Sequence, residues 1–327
     1  MARPTFPRSL PEFIARFGDE RDCFEYLIAS RFPDGFRCDA CGHDASFERG
    51  GRLAIACARC KRVVSATSGT VMHRTRQPLS LWLLAAFLMT TDKRGISATQ
   101  LQRQLGLKRY ETAYQMLHKL RAAMVAPTRS LLSGTVEVDE TVLGSPKRGR
   151  PSEEAPEKMI VVGALERHLD PKTGRYRAGR ARFRFVPDRT ELALLGFIAD
   201  SVSPGTVVVT DGLSSYHSVP LIGYERSIES TTQGMKQADV LPVFHRVVSN
   251  LKAWLSGTHH GGVSAKHLQA YLNEFVFRFN RRRTPQAAFQ TLLGLAPKVS
   301  APTYAQLYTQ EGEPGGWEHP TDTAPDA

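Results

Sequence analysis

The segment "GTVEVDETVLG" (residues 134–144) decides the fold class, because it alternates apolar and polar side chains as a half-buried β-strand does. The alternation places Glu137, Asp139 and Thr141 on one face of the strand and valines on the other. Asp139 therefore lies mid-strand among apolar neighbours, where an ionised carboxylate is costly unless it is paired or holds a metal ion. We expect this strand to carry a functional acid.

A second predicted strand ends on another acid. The apolar run "TVVVTD" (residues 206–211) stops at Asp211 and passes into an Asp-Gly turn. The intervening chain is predicted to form two strands and a helix, at residues 159–166, 180–187 and 188–202, with Asp188 as the helix cap. A further helix follows the fourth strand. This β-β-β-α-β-α order is that of an RNase H-like α/β domain with a mixed sheet, in which the first and fourth strands are neighbours.

Neighbouring first and fourth strands would bring Asp139 and Asp211 together. Two adjacent carboxylates repel each other, and a divalent cation removes the repulsion. Two-metal phosphoryl-transfer sites use acids in this arrangement. The alternative is that the two acids are unrelated and that Asp211 serves only its turn.

Four cysteines form two CxxC pairs with 15 residues between them. Each CxxC turn can direct two thiolates at one ion, so we expect a tetrahedral zinc site formed by Cys38, Cys41, Cys57 and Cys60. A complete thiolate shell leaves no position for water, so this Zn²⁺ is expected to be structural. The metal-free alternative would leave four thiols on a segment with little core. His43 could compete as a ligand, and Cys23 is expected to be a small buried residue.

Residues 95–124 have the pattern of a helix-turn-helix. Ser97 is placed to cap a short first helix, and the sequence "LGL" (105–107) turns the chain. The start of the second helix carries the predicted DNA-contacting residues Lys108, Arg109, Tyr110 and Gln115, where a recognition helix meets base edges. The alternative is a helical hairpin that only packs on its neighbours.

Composition favours a polyanionic partner. The 327 residues carry a formal net charge of +11, and 41% of them are hydrophobic, which is enough for a sizeable core. The amino terminus has no apolar signal segment, and the longest apolar stretch, residues 79–91, is shorter than the roughly 18 residues of a membrane span. Five cysteines without a signal peptide fit a reducing compartment. These features predict a cytoplasmic protein.

The zinc-ribbon spacing, the helix-turn-helix, "VEVDETVLG", "TDGLSSY" and "GTHHGGVSAKHLQAYLNEFVFRFNRRR" together resemble a bacterial insertion-sequence transposase. The resemblance is to the zinc-ribbon subgroup of the DDE, RNase H-like superfamily and runs from about residue 10 to 295. It implies that Asp139 and Asp211 are the first and second catalytic acids. It also implies two catalytic metal ions, Mg²⁺ or Mn²⁺.

The third catalytic residue departs from the family pattern. In the family it lies on a helix roughly 33 residues beyond the second Asp, with a Lys seven residues later. Here that count reaches His245, followed by Lys252, and both lie on one helical face. An imidazole can ligate a divalent ion but brings no negative charge. The other acids in range, Glu225, Glu229 and Asp239, all lie nearer to Asp211, in chain expected to be irregular. The alternative is a His245 that only packs in its helix.

The resemblance implies a DNA transposase that binds the terminal inverted repeats of its element. It would cleave a phosphodiester at the element end and join the freed 3′-OH to target double-stranded DNA, as a homo-oligomer of at least two chains. Arg281 and Arg282 extend a later amphipathic helix with a basic end suited to phosphates or, alternatively, to solvent. Adjacent His259 and His260 are expected in a loop near DNA or at helix ends.

The rival classes are a regulator that has lost catalysis, a nuclease that does not join DNA, and a scaffold protein. The predicted domains are a helix and zinc ribbon at 1–70, the helix-turn-helix region at 71–130, the catalytic domain at 131–298 and a disordered tail at 299–327.

Overall fold

The computed structural model describes residues 5–49, 53–126, 129–144, 158–229, 240–260, 263–299 and 301–308. Two compact units divide these residues. The first contains the chain up to Ala126 together with the segment that begins at Arg281, and the second contains the chain from Pro127 to Asn280. The predicted catalytic domain runs to residue 298, whereas the second unit ends at Asn280. The predicted disordered tail starts at residue 299, but Tyr304–Tyr308 within it form a short helix. The rest of that tail beyond residue 308 lies outside the described residues, as do residues 145–157.

The first unit is mainly helical with one small sheet. Its elements are α1 (Leu10–Arg16), α2 (Glu20–Arg31), β1 (Ser46–Glu48), β2 (Ala54–Cys57), β3 (Val63–Ser65), α3 (Leu79–Thr91), α4 (Ala98–Gln104), α5 (Tyr110–Ala122), α9 (Pro285–Leu295) and α10 (Tyr304–Tyr308). Side-chain caps start three of the helices: Ser9 accepts from the Glu12 N–H, Asp19 from Arg21 and Ser97 from Gln100. The predicted Ser97 cap is therefore present.

An aromatic cluster forms part of the core of the first unit. Phe289 of α9 is fully buried, and its ring centroid lies 5.9–6.0 Å from those of four rings of the amino-terminal helices, Phe13, Phe17, Tyr26 and Phe87. Helix α3 has apolar residues on all sides, which suits a helix that is buried within such a core. A residue far along the sequence therefore completes the core around the amino-terminal helices.

The second unit is built on a five-stranded mixed sheet. Its elements are β4 (Thr135–Leu143), β5 (Met159–Leu169), β6 (Tyr176–Val186), α6 (Glu191–Ser201), β7 (Val207–Thr210), β8 (Glu225–Ile228), α7 (Pro242–His259) and α8 (Ala265–Asn280). The strand order is β6-β5-β4-β7-β8, with β4, β5 and β6 antiparallel and β7 and β8 parallel to β4. This order confirms the predicted RNase H-like fold.

Alternation along β4 separates two cores. Val136 and Val138 pack with α6 on one face of the sheet, and on the other face β5 and β7 pack with α7 and α8. Glu137 is fully buried on this second face, between the sheet and the start of α7. The predicted division of β4 into two faces is therefore confirmed, and it directs the polar face toward α7.

Two local predictions in this unit are wrong. The sequence "ERSI" at Glu225–Ile228 was expected to be irregular but forms β8, an edge strand without apolar alternation that is held by its ladder to β7. Helix α6 is capped by Thr190 rather than Asp188: the Thr190 hydroxyl accepts from Ala193 N–H, while Asp188 Oδ1 accepts from the Thr190 N–H and hydroxyl. A threonine closer to the helix start therefore outcompetes the aspartate.

Within the described ranges, none of the helices is both long and apolar enough to cross a bilayer.

Candidate active site

Strand register places the two predicted acids side by side. The parallel ladder pairs Thr135 of β4 with Val207 of β7, and Glu137 with Val209. Continued by two residues, this register brings Asp139 opposite Asp211, and adjacent strands lie roughly 4.8 Å apart. Val209 packs on the α7 side of the sheet, so alternation assigns Asp211 to the side where Glu137 also lies.

Asp139 is in an environment that disfavours its charge. Its side chain is 13% exposed, and burial, followed by repulsion from Glu140 and Asp211, raises its pKa to about 7. The Glu140 N–H donates to Asp139 Oδ1 at 2.7 Å, which opposes the rise but does not cancel it. A carboxyl with this pKa is only partly ionised near neutrality, and a cation beside it would restore the charged form.

Asp211 stabilises the turn that follows β7 and also lies at the position paired with Asp139. Its Oδ1 accepts the Leu213 N–H at 3.0 Å, which is the side-chain bond of an Asx turn. Arg226 of β8 holds the backbone at the same point, because its guanidinium donates to Asp211 O at 3.1 Å and to Thr210 Oγ1 at 3.0 Å. The turn role and the paired position are therefore compatible, and β8 supports both.

Helix α7 brings the predicted third residue to the first acid. His245 Nε2 lies 4.0 Å from Asp139 Oδ2, and the imidazole is one-third exposed. Lys252 is exposed two turns further along α7, and a separation of seven residues keeps both on one side of the helix. The geometry therefore brings His245 together with Asp139, and the helical period aligns Lys252 with them.

The ligand atoms of Asp139, Asp211 and His245 do not all lie within 4.8 Å of one another. Within the described part of the chain, the group of three or more potential ligands with donor atoms mutually within 4.8 Å is the cysteine cluster alone. Two carboxylates and an imidazole are nevertheless a donor set that suits Mg²⁺ or Mn²⁺, with the imidazole favouring Mn²⁺ more than Mg²⁺. Burial, followed by repulsion from Glu140 and Asp211, raises the pKa of Asp139, and a bound cation would relieve both effects.

The competing acids have other positions. Glu225 opens β8, and Glu229 forms an ion pair with Arg167 at 2.9 Å. Asp239 lies outside the described residues.

Further acidic and aromatic side chains surround the pair. Glu140 Oε2 accepts a hydrogen bond from the hydroxyl of fully buried Tyr216 at 2.9 Å, and Glu140 Oε1 lies 3.6 Å from Arg189 Nε. On the α7 side, buried Glu137 accepts the Phe244 N–H at 2.7 Å. Sequence reasoning placed Glu137 on the functional face but assigned it no role, although a glutamate on a buried strand face was the available signal.

The four cysteines form one cluster in the first unit. Their Sγ atoms all lie within 4.8 Å of one another, with Cys38–Cys60 and Cys41–Cys57 at 3.6 Å. Tetrahedral thiolates at a Zn–S distance of about 2.3 Å would lie about 3.8 Å apart, so the cluster fits Zn²⁺. His43 is outside this group, and Cys23 is fully buried with its pKa raised to about 12, mainly by burial.

Both cysteine turns end in a left-handed residue. Gly42 follows the first pair with a φ of 70°, and Lys61 follows the second with a φ of 62°. Backbone N–H groups close the turns onto the cysteine carbonyls, from Gly42 to Cys38 at 2.9 Å and from Lys61 to Cys57 at 3.1 Å. The two CxxC segments therefore share one turn geometry, which directs each pair of thiols to the same point.

The predicted helix-turn-helix is present as α4 and α5. The linking turn contains Gly106 at a φ of 63°, and Lys108, Arg109 and Tyr110 are exposed at the start of α5. Gln115 differs, because its side chain hydrogen-bonds to Tyr308 of α10. Three of the four predicted contact residues are therefore exposed at the helix start, whereas Gln115 is engaged within its own unit.

The remaining predicted basic and histidine residues differ in their exposure to solvent. Arg281 is half-buried, and burial lowers its pKa, whereas Arg282 is exposed. His259 belongs to α7, and its ring lies 4.9 Å from Trp254 and 4.6 Å from Tyr271. His260 ends the helix in the left-handed conformation. The two histidines thus occupy a helix end, one of the two predicted settings.

Comparison with known proteins addresses both units. The chain matches the ISXO2-like transposase domain over residues 131–280 and the transposase zinc-ribbon domain over residues 18–63. A comparison with curated proteins finds no match. Among solved structures, the chain is similar to the catalytic core domain of BIV integrase, with 14% identity and a TM-score of 0.27, over 50% of this chain and 82% of that one.

The transposase-domain match coincides with the unit whose strand order is RNase H-like. The class defined by this combination is the transposase catalytic domain of the DDE type. With the zinc-ribbon match and the four-cysteine cluster added, the chain belongs to the insertion-sequence transposases that carry an amino-terminal zinc ribbon.

Proposed function

We propose that this transposase cuts the ends of its own DNA element and joins the freed 3′-OH to target DNA. Two observations support the proposal: the β4–β7 register, continued by two residues, pairs Asp139 with Asp211, and His245 Nε2 lies 4.0 Å from Asp139 Oδ2. The matched transposase domain supports the same reaction class.

Asp139, Asp211 and His245 would hold the divalent metal ions, Mg²⁺ or Mn²⁺. When bound, such ions neutralise charge on the phosphate and lower the pKa of a bound water or hydroxyl. Asp139 and Asp211 would define the line of attack, because Asp139 lies within β4 and Asp211 directly follows the end of β7 in the same sheet. Lys252, exposed on the same side of α7, would bind the terminal phosphate and orient it.

The first unit would bind the terminal inverted repeats. Lys108, Arg109 and Tyr110 are exposed at the start of the second helix of a helix-turn-helix, where such helices meet the major groove. The net charge of +11 suits phosphate contacts. Zn²⁺ held by the four cysteines would keep the small three-stranded sheet folded. We further propose that chains pair on DNA to bridge the two ends, in the bacterial cytoplasm at the nucleoid.

A strand-cleavage and strand-transfer assay tests the proposal, with duplexes that carry the element ends and with Mg²⁺ or Mn²⁺. Asp139→Asn and Asp211→Asn are each expected to abolish cleavage and joining. Asp200→Asn is the matched control, because Asp200 of α6 is largely exposed and forms an ion pair with Arg184 of β6, outside the site. Cleavage that survives either active-site change would refute the proposed site.

A regulator that binds DNA without cutting it is the second candidate. The observation that favours it is His245, which contributes no negative charge at the position where the family pattern has an acid. Sequence-specific binding without cleavage in either metal would support this candidate. Cleaved products without joined DNA would indicate a nuclease instead, and failure to bind DNA at low salt would indicate a scaffold.

A further inference from the structure

Helix α7 begins without a side-chain cap of its own. Its first residue is Pro242, and the preceding Leu241 has no polar side chain with which to accept a backbone N–H. The first intrahelical bond is His245 N–H to Leu241 O at 3.0 Å. The N–H of Phe244 precedes this bond and therefore needs an acceptor from elsewhere, because α7 starts in a buried position.

Glu137 of β4 provides that acceptor. Its Oε2 lies 2.7 Å from Phe244 N, although the two residues are 107 positions apart in sequence. The glutamate has no solvent exposure, and a carboxylate at a helix amino terminus is favoured by the helix dipole. A strand residue thus performs the capping role that the local sequence of α7 cannot.

The cap and the candidate active site share the same two elements. Glu137 and Asp139 are two residues apart on one face of β4, and Phe244 and His245 are consecutive in α7. Strand and helix consequently meet at two neighbouring points: Glu137 with the Phe244 backbone, and Asp139 with the His245 imidazole. Any shift of the α7 start relative to β4 would change both.

The carboxylate of Glu137 is itself held by a charged partner. Arg167 of β5 lies 3.5 Å from Glu137 and 2.9 Å from Glu229, and its side chain is 8% exposed. Burial raises the pKa of Glu137, while the Phe244 N–H and Arg167 oppose the rise. Burying a carboxylate costs desolvation energy even when it has two partners, and an apolar residue of similar size would avoid that cost. The presence of Glu137 at this position therefore points to a role beyond packing.

We propose that Glu137 is a positioning residue for the transposase reaction: it fixes the start of α7 on β4 so that His245 and Lys252 face the two acids. This inference rests on the proposed function, because it assigns to Glu137 the alignment of that same site. Glu137 touches neither the DNA nor the reacting atoms. It acts through Phe244 on the residue that follows.

The length of the side chain at position 137 decides whether it can accept the Phe244 N–H, so variants of different length test the proposal. Glu137→Gln and Glu137→Asn both remove the charge and keep an amide, but only glutamine is long enough to accept the Phe244 N–H. We expect Glu137→Gln to keep kcat within about threefold of the parent and Glu137→Asn to lose about tenfold or more, with little change in KM for DNA, because small misplacements of reacting groups are costly. Glu166→Gln is the matched control, since Glu166 is also buried and paired, but its carboxylate accepts from Arg180 and from the Ser133 N–H rather than from the start of α7.

Amide hydrogen exchange provides a readout that does not depend on activity. Protection of the Phe244 amide is expected to persist in Glu137→Gln and in Glu166→Gln and to fall at least tenfold in Glu137→Asn, without metal and at a temperature where all variants are folded. Equal kcat and equal Phe244 protection in the Gln and Asn variants would overturn the proposal. So would a Glu137→Gln chain that fails to fold while Glu166→Gln folds, because the charge would then serve the fold as a whole.

Asp139→Asn in the same assay separates the two levels of inference. If Asp139→Asn still cleaves DNA, the proposed site is wrong whatever Glu137 does. If Asp139→Asn is inactive, and Glu137→Gln and Glu137→Asn have the same kcat and the same Phe244 protection, the proposed site stands. The positioning role of Glu137 is then wrong.

Discussion

His245 Nε2 lies 4.0 Å from Asp139 Oδ2, so residues separated by most of the catalytic unit face each other across the boundary between β4 and α7. At this distance, the two groups can share one ion but do not form a short hydrogen bond with each other. The relationship gives the unusual histidine a chemical setting: it lies beside an acid whose pKa is raised to about 7. The predictions below test this setting and the parts of the molecule that support it.

Replacing His245 by an acid tests its role as a metal ligand. His245→Glu is expected to keep or raise Mg²⁺-dependent cleavage, because an oxygen ligand suits Mg²⁺ and adds negative charge. His245→Ala is expected to lower cleavage about a hundredfold in either metal, as judged by initial rates. His217→Gln, an exposed histidine outside the site, is the control. Full activity of His245→Ala would show that the imidazole only packs in its helix.

The raised pKa of Asp139 predicts a pH-dependent loss of stability in metal-free protein. The folded chain holds this proton up to about pH 7, whereas the unfolded chain releases it near pH 4, so folding stability falls as pH rises between these values. The upper bound of the loss is about 4 kcal/mol, at roughly 1.4 kcal/mol per pKa unit. Thermal or denaturant unfolding in EDTA measures it.

Asp139→Asn removes this titration and provides the comparison. From pH 4 to pH 8, we expect the free energy of unfolding of the parent to fall relative to that of Asp139→Asn. Addition of Mn²⁺ should then stabilise the parent more than the variant. A difference in unfolding free energy between the two proteins that stays constant from pH 4 to pH 8 would contradict the raised pKa of Asp139.

Removal of zinc is expected to unfold the small sheet of the first unit. Cys57→Ser should reduce the zinc content from one ion per chain to none, because the remaining three thiolates no longer close the tetrahedron. Elemental analysis together with hydrogen exchange of β1–β3 measures both effects. Cys23→Ala should keep its zinc, since Cys23 lies outside the cluster. Retention of zinc and of protection in Cys57→Ser would contradict the assignment.

The start of α5 is expected to contribute phosphate contacts. Lys108→Ala with Arg109→Ala should weaken binding to DNA of any sequence and reduce the slope of log affinity against log salt by about two, one for each lost contact. Fluorescence anisotropy over a series of salt concentrations measures the slope. Arg177→Ala, which removes an exposed arginine from the catalytic unit, is the charge control. An unchanged slope would place the DNA-binding surface elsewhere.

Phe289 is expected to be essential for the first unit. Phe289→Ala should destabilise that unit by about 3–5 kcal/mol, because it empties the centre of a fully buried aromatic cluster. Phe47→Ala, an exposed aromatic in β1, should change stability by less than about 0.5 kcal/mol. Hydrogen exchange of α2 and α3 reports on the unit. Equal protection in both variants would show that α9 only rests against the unit.

The sequence was most informative where one pattern determines one geometry. Alternation in β4 predicts which side chains share the face of Asp139, and the spacing of two CxxC pairs predicts the cysteine cluster. The sequence was least informative where the structure or role of a segment depends on a partner that is distant in sequence. The strand β8 has no apolar alternation and forms because β7 offers a free edge, and Glu137 has a function only once α7 lies over it. The placement of Phe289 likewise depends on tertiary packing rather than on any local signal.

The contribution of α9 to the aromatic cluster also sets an order of events during protein synthesis. Phe289 leaves the ribosome after residues 127–280 of the catalytic unit, so the core around the amino-terminal helices remains incomplete until α9 has been made. A chain that stops early would therefore lack a finished first unit. Under the proposed function, an interrupted translation product could not occupy an element end without a catalytic unit attached, which protects the DNA ends from competition by inactive fragments.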